Sequence, residues 1–100
     1  MKDSDLVIMT KAEAKPEKQK SVIQALRNIA VAARDHPGCI EYSILCAEDS
    51  AVTINFERWA SNEERGKFMA SADVKKFASA VSDAFTETPK PILYDILDVE

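Results

Sequence analysis

Between residues 16 and 36 apolar side chains recur every three to four positions, while on both sides of that stretch they recur every two. This change of period constrains the chain most, because a period of 3.6 buries one stripe of a helix and a period of two buries one face of a strand. Val22, Leu26, Ile29 and Ala33 make the helical stripe, with Ile23 and Ala30 beside it. Lys18, Lys20, Gln24, Arg27 and Asn28 take the outer side. Pro16 suits an early helical position, where its missing N–H costs nothing. His36-Pro37-Gly38 ends the helix: proline disfavours helical backbone before it, and glycine permits a sharp turn.

The other segments order themselves around that helix. Residues 5–14 read as a first strand. Cys39–Ala47 and Ala51–Trp59 read as two more, joined by the hairpin loop Glu48-Asp49-Ser50, and Ile92–Val99 as the last. Ser61-Asn62-Glu63-Glu64 is a capping box that opens a short helix to Met69. Ser71 can cap a further segment with Val74, Phe77, Val81 and Phe85 on one side, broken by Thr88-Pro89-Lys90-Pro91. The order βαββαβ predicts an α+β, ferredoxin-like antiparallel sheet with its helices on one face. One hundred residues make it a single domain, 1–100.

Face patterning adds an expectation about assembly. Even positions of the two middle strands are apolar: Ile40, Tyr42 and Ile44, then Val52, Ile54 and Phe56. Odd positions are mixed: Glu41 and Ser43, then Thr53, Asn55, Glu57 and Trp59. The last strand is apolar on both faces, with Ile92, Tyr94 and Ile96 on one and Leu93, Leu97 and Val99 on the other. A second apolar face needs a partner, which predicts a homodimer packed sheet against sheet.

Charge and motif content narrow the function. Thirteen basic against seventeen acidic residues give a net charge of −4, which repels phosphate and argues against nucleic-acid and anionic-membrane partners. No apolar run approaches the roughly 20 residues of a membrane span, and the first residues carry no signal-peptide pattern. Cys39 and Cys46 lie seven apart in one strand, which points them to opposite faces, so a bridge is not expected and a reducing cytoplasm is the default location. Two glycines leave no room for a dinucleotide-binding turn, and His36 is the only histidine, so no histidine-based metal cluster is expected. A mid-strand Asn55 calls for a reason if it faces inward. Glu57 is a general base if buried, or else the partner of a helix lysine or arginine. Trp59, Phe68 and Phe77 are core or cavity wall; Tyr42 and Tyr94 read as core or interface.

Four stretches together carry a family likeness: Lys15-Pro16-Glu17, His36-Pro37-Gly38-Cys39-Ile40-Glu41-Tyr42, Glu57-Arg58-Trp59, and Ser71 to Phe77. In order, they resemble the antibiotic biosynthesis monooxygenase superfamily of dimeric α/β barrels, over about residues 5–97. The resemblance implies a cofactor-free oxygenase that uses molecular oxygen as co-substrate, with no flavin and no metal, acting on a small aromatic quinol. Asn55 and Trp59 match in type and spacing an Asn–Trp pair that serves the chemistry in the polyketide-quinone branch. By that likeness the odd face lines the cavity between sheet and helices and the even face is the dimer interface; Asn55 orients the substrate oxygen, Trp59 stacks on the ring, Glu57 is a reserve base, and Phe68 and Phe77 exclude water. The Tyr and Arg that accompany the pair in that branch find no match in the sequence. Phe68 stands where haem-degrading relatives carry an iron-ligating His, and Asp73 where a second His is common, which disfavours haem degradation. Two other readings stay open: an oxygen-independent, isomerase-like enzyme using Glu57 or His36, and a non-catalytic dimer that binds a small apolar ligand.

Overall fold

Strand β1 (Leu6–Glu13) sits inside a four-stranded antiparallel sheet of order β2-β3-β1-β4, with β2 at Cys39–Cys46, β3 at Val52–Trp59 and β4 at Lys90–Asp95. The computed structural model describes residues 6–96, so Leu97 and Val99 of the expected last strand lie outside the described residues. A 3₁₀ turn at Pro16–Lys18 leads into α1 (Gln19–Arg34), which carries the chain over β3 to β2. Helices α2 (Asn62–Met69) and α3 (Ala72–Ala80) carry it from β3 back over β1 to β4. This is the α+β, ferredoxin-like arrangement that the order of periods predicts. Among the described residues no helix is long and apolar enough to cross a membrane.

The helix starts follow local chemistry. Ser61 Oγ accepts from Glu64 N–H at 3.2 Å, and Ser71 Oγ accepts from Val74 N–H at 3.3 Å, each satisfying an orphan donor. The α1 stripe is rotated slightly from expectation: Val22, Ala25, Leu26, Ile29, Ala30 and Ala33 are buried, while Ile23 is left partly open. Gly38 owes its identity to crowding rather than to backbone conformation, since no glycine has positive φ. A Cβ there would collide with the side chain of Glu64 at the start of α2, and Gly38 O accepts from Ala60 N–H at 2.9 Å.

Three expectations are corrected. First, α3 stops at Ala80, although the apolar spacing carries on to Val81 and Phe85. Phe85 instead bridges to Ala14, and Lys15 N–H and Thr86 N–H close the contact onto Ala84 O and Glu13 O at 2.8 and 2.9 Å. Ordered β-type hydrogen bonds to the end of β1 outcompete another helical turn. Second, Tyr42 and Ile44 do not share a face with Ile54 and Phe56. Tyr42 pairs with Glu57 and Ile44 with Asn55, so both lie under the helices. The hairpin brings Cys46 opposite Thr53, with Asp49 at positive φ, and a one-residue change of register turns a whole strand over. Third, Cys39 and Cys46 face the same way. A bulge at Ile40 inserts one residue between the Cys39–Trp59 and Glu41–Arg58 pairs and reverses the phase. Both thiols are free, separated by most of the length of β2.

The core lies between the sheet and the helices. Ile8, Ile29, Ala30, Ala33, Tyr42, Trp59 and Phe68 form one cluster around the β3 end, and Val22, Leu26, Val81 and Ala84 belong to a second at the other end. The opposite face of the sheet is mixed: Leu45, Ile92 and Tyr94 are about half exposed on it, and Lys11, Glu41, Arg58 and Lys90 share it.

Candidate active site

The side chains of β3 that face the helices are Thr53, Asn55, Glu57 and Trp59, the odd set. Each occupies a different depth. Trp59 is fully buried at the closed end, stacked on Phe68 with centroids 5.2 Å apart. His36 packs edge-on against both rings at 5.8 and 6.0 Å. Glu57 comes next, with only 4% of its surface exposed. Its Oε1 accepts from Trp59 Nε1–H at 2.9 Å and from Arg65 Nε–H at 3.3 Å. Arg65 sits in α2, eight residues beyond Glu57, so the helix cation that the sequence allows for is realised. A buried carboxylate is tolerable only with such partners.

Asn55 follows one pleat on. Its Nδ2 donates to Tyr42 Oη at 3.3 Å, diagonally across the β2–β3 pair. Tyr42 is nearly closed from solvent. Burial first, and the negative charge of Glu57 second, push its phenol well above the ordinary range. Tyr42 therefore remains a neutral hydroxyl, and because its oxygen accepts from Asn55 its own proton is left to donate. Burial also raises the Cys39 thiol, helped by Glu57, so Cys39 is not a thiolate nucleophile.

These groups meet a cavity of about 170 Å³ between the sheet and the α2–α3 junction. Tyr42, Asn55, Glu57 and Arg65 supply its polar end; Ile29, Phe68, Met69, Val74 and Phe77 supply apolar walls. Of the residues singled out from sequence, Asn55, Glu57, Phe68 and Phe77 come together there. Trp59 does not reach the wall; it stands behind Phe68 and holds Glu57 from below. Sequence reasoning misses Tyr42 and Arg65. Arg65 is one of several cations in the helices, and Tyr42 depends on the hairpin register, which no residue pattern states. A larger cleft of about 520 Å³ runs between α1 and the β2 edge, lined by Ile23, Arg27, Val31 and Arg34 among others. It contains no acid–base pair, so size alone does not mark the site.

The description of the antibiotic biosynthesis monooxygenase family matches residues 5–80. The chain belongs to that family. The match takes in every strand and helix up to Ala80, and with them all of the polar end of the cavity. Solved structures agree on the fold. A protein from Nitrosomonas europaea superposes with a TM-score of 0.89 at 20% identity, covering 97% of this chain and 94% of its own. One from Mycobacterium tuberculosis gives 0.89 at 18% identity, with 96% and 98% covered. One from Caulobacter crescentus gives 0.88 at 15%, with 96% and 92% covered. No curated protein matches the sequence.

Proposed function

We propose that the chain is a cofactor-independent monooxygenase that oxidises a single-ring quinol with dioxygen. The observation that carries this reading is the convergence of Tyr42, Asn55, Glu57 and Arg65 on one end of a small, otherwise apolar cavity. A dry cavity of about 150 Å³ holds benzene, so 170 Å³ suits one ring with its hydroxyls.

Each group has a task. Asn55, fixed by its bond to Tyr42, offers its side-chain carbonyl to the substrate hydroxyl. Glu57 takes the proton from that hydroxyl through the carboxylate oxygen not held by Trp59 and Arg65. The negative charge then moves from Glu57 to the ring oxygen while Arg65 stays beside it. Tyr42 donates to the same ring oxygen and stabilises the anion. The electron-rich ring passes electrons to dioxygen directly. Phe68 and Phe77 keep water from intercepting the intermediate. The balance closes without an outside reductant: quinol plus O₂ gives hydroxyquinone plus water. The ring supplies all four electrons, two on becoming a quinone and two from the C–H bond replaced by C–O.

Oxygen uptake by metal-stripped protein with hydroquinones and naphthols tests this. The expected result is uptake above autoxidation, one O₂ per product, greater for single rings than for fused ones. Glu57→Gln and Asn55→Ala should each reduce it by at least tenfold. Product formed equally well under nitrogen would replace the reading with an oxygen-independent enzyme. Ligand-induced thermal shifts without any product would replace it with a binding protein.

A further inference from the structure

The cavity between the sheet and the α2–α3 junction has its polar end inside and its apolar end toward water. Its lining crosses the sheet from Tyr42 in β2, through Asn55 and Glu57 in β3 and Thr10 in β1, to Pro91 in β4. That is three strand spacings, about 14 Å. Tyr42 and Glu57 are buried, and so is Phe68 beside them. At the other end β4 is an edge strand and Pro91 is exposed. Met69, the last residue of α2, also lines the cavity and is 43% exposed. The mouth therefore lies between Met69 and Pro91. Thr10 is the one polar side chain of the lining outside the Tyr42–Asn55–Glu57–Arg65 group.

An apolar shelf continues from that mouth along β4. Leu93 pairs with Ile8 as Pro91 pairs with Thr10, and Ile8 is fully buried in the core beneath the helices. Leu93 and Pro91 thus stand on the helix side of the sheet. Leu93 is nevertheless 55% exposed, and no described element covers it. A scattered exposed leucine needs no explanation, but apolar side chains grouped at the mouth of a cavity do. The cavity of about 170 Å³ has room for one ring, so a substituent on that ring must leave through the mouth. A polar substituent would lose hydration against Met69, Pro91 and Leu93 without gaining a partner. An aliphatic one removes apolar surface from water on both sides.

We propose, resting on the quinol reading above, that the substrate is a quinol carrying an aliphatic chain. It enters hydroxyl first, and its chain leaves between Met69 and Pro91 and lies along Leu93. Calorimetric titration under nitrogen with hydroquinone and its methyl, propyl, pentyl and heptyl derivatives tests this apart from turnover. Each carbon laid on the half-exposed shelf is expected to tighten Kd about twofold, half the effect of full burial. The shelf runs one pleat, about 7 Å, beyond Pro91, so the gain should level off at about five carbons. Leu93→Ser should cut the pentyl-over-hydroquinone affinity ratio at least threefold and leave hydroquinone binding unchanged. Ile92→Ser, one residue away on the other face, should leave the whole series unchanged, which separates the shelf from adhesion to the open side of the sheet. Neutral vesicles carrying a long-chain quinol then distinguish two sources. Oxygen uptake from the vesicles marks a bilayer quinol, and uptake with the soluble pentyl compound alone marks a free one; either supports the class. Hydroquinones that bind without oxygen uptake overturn the oxygenase reading alone. A flat chain-length series, or equal losses from Leu93→Ser and Ile92→Ser, overturns this inference alone, and no binding across the series overturns both.

Discussion

At the scale of single residues, Tyr42 and Glu57 matter most, and both are held by contacts that a strand pattern does not announce. Tyr42 is neutral because burial and the Glu57 charge oppose its ionisation. The sign follows directly: as pH rises past about 10, the unfolded chain ionises at Tyr42 while the folded chain does not. The stabilisation is therefore complete below that pH and declines above it. Urea melts from pH 8 to 11.5 should show a falling alkaline limb that Tyr42→Phe flattens; superimposable limbs would remove Tyr42 as the cause. Glu57 carries a different load. Glu57→Ala leaves the Arg65 guanidinium and the Trp59 N–H without their buried acceptor, a loss of about 3 kcal/mol. Glu57→Gln keeps an acceptor for Trp59 and should cost visibly less in the same melts. A smaller loss for Ala than for Gln would show that the carboxylate is not structural. Trp59 illustrates how a residue type can be prominent in sequence and indirect in structure: it touches the site through Glu57 and Phe68.

At the scale of elements, the caps and the α1 stripe were readable because they rest on contacts within a few residues. Ser61 and Ser71 open their helices by the hydrogen bonds that their spacing predicts. The end of α3 and the phase of β2 were not readable, because the first is decided by β1, distant in sequence, and the second by the register of the hairpin with β3. The two glycines separate local from tertiary constraint. Gly66 in α2 has nothing within 4 Å of an added Cβ, so Gly66→Ala should stabilise the protein by about 1 kcal/mol through helix propensity alone. Gly38→Ala, the same chemical change, drives a methyl into Glu64 at the start of α2 and should lower the melting temperature. Equal shifts from the two variants in calorimetry would contradict this division.

At the scale of the whole molecule, the sheet divides the described residues into a helix-covered side with the cavity and a side that no described element covers. Two copies associating through that side would gain a concentration-dependent term in stability. The melting temperature is expected to rise by a few degrees between 1 and 100 µM protein; a constant value would show that the face stays open. The order of elements was legible in the sequence, because it follows from periods and caps, which depend on near neighbours. Asn55, Glu57, Phe68 and Phe77 were singled out there too, with the face of β3 turned to the helices taken from the family likeness and not from the periods. Only the tertiary structure decided that Tyr42 bonds Asn55, that Arg65 rather than another cation holds Glu57, and that Trp59 lies behind the wall. The first depends on one hairpin turn, where a single residue of register moves a strand's side chains from one face of the sheet to the other, and the other two depend on how α2 packs against the end of β3.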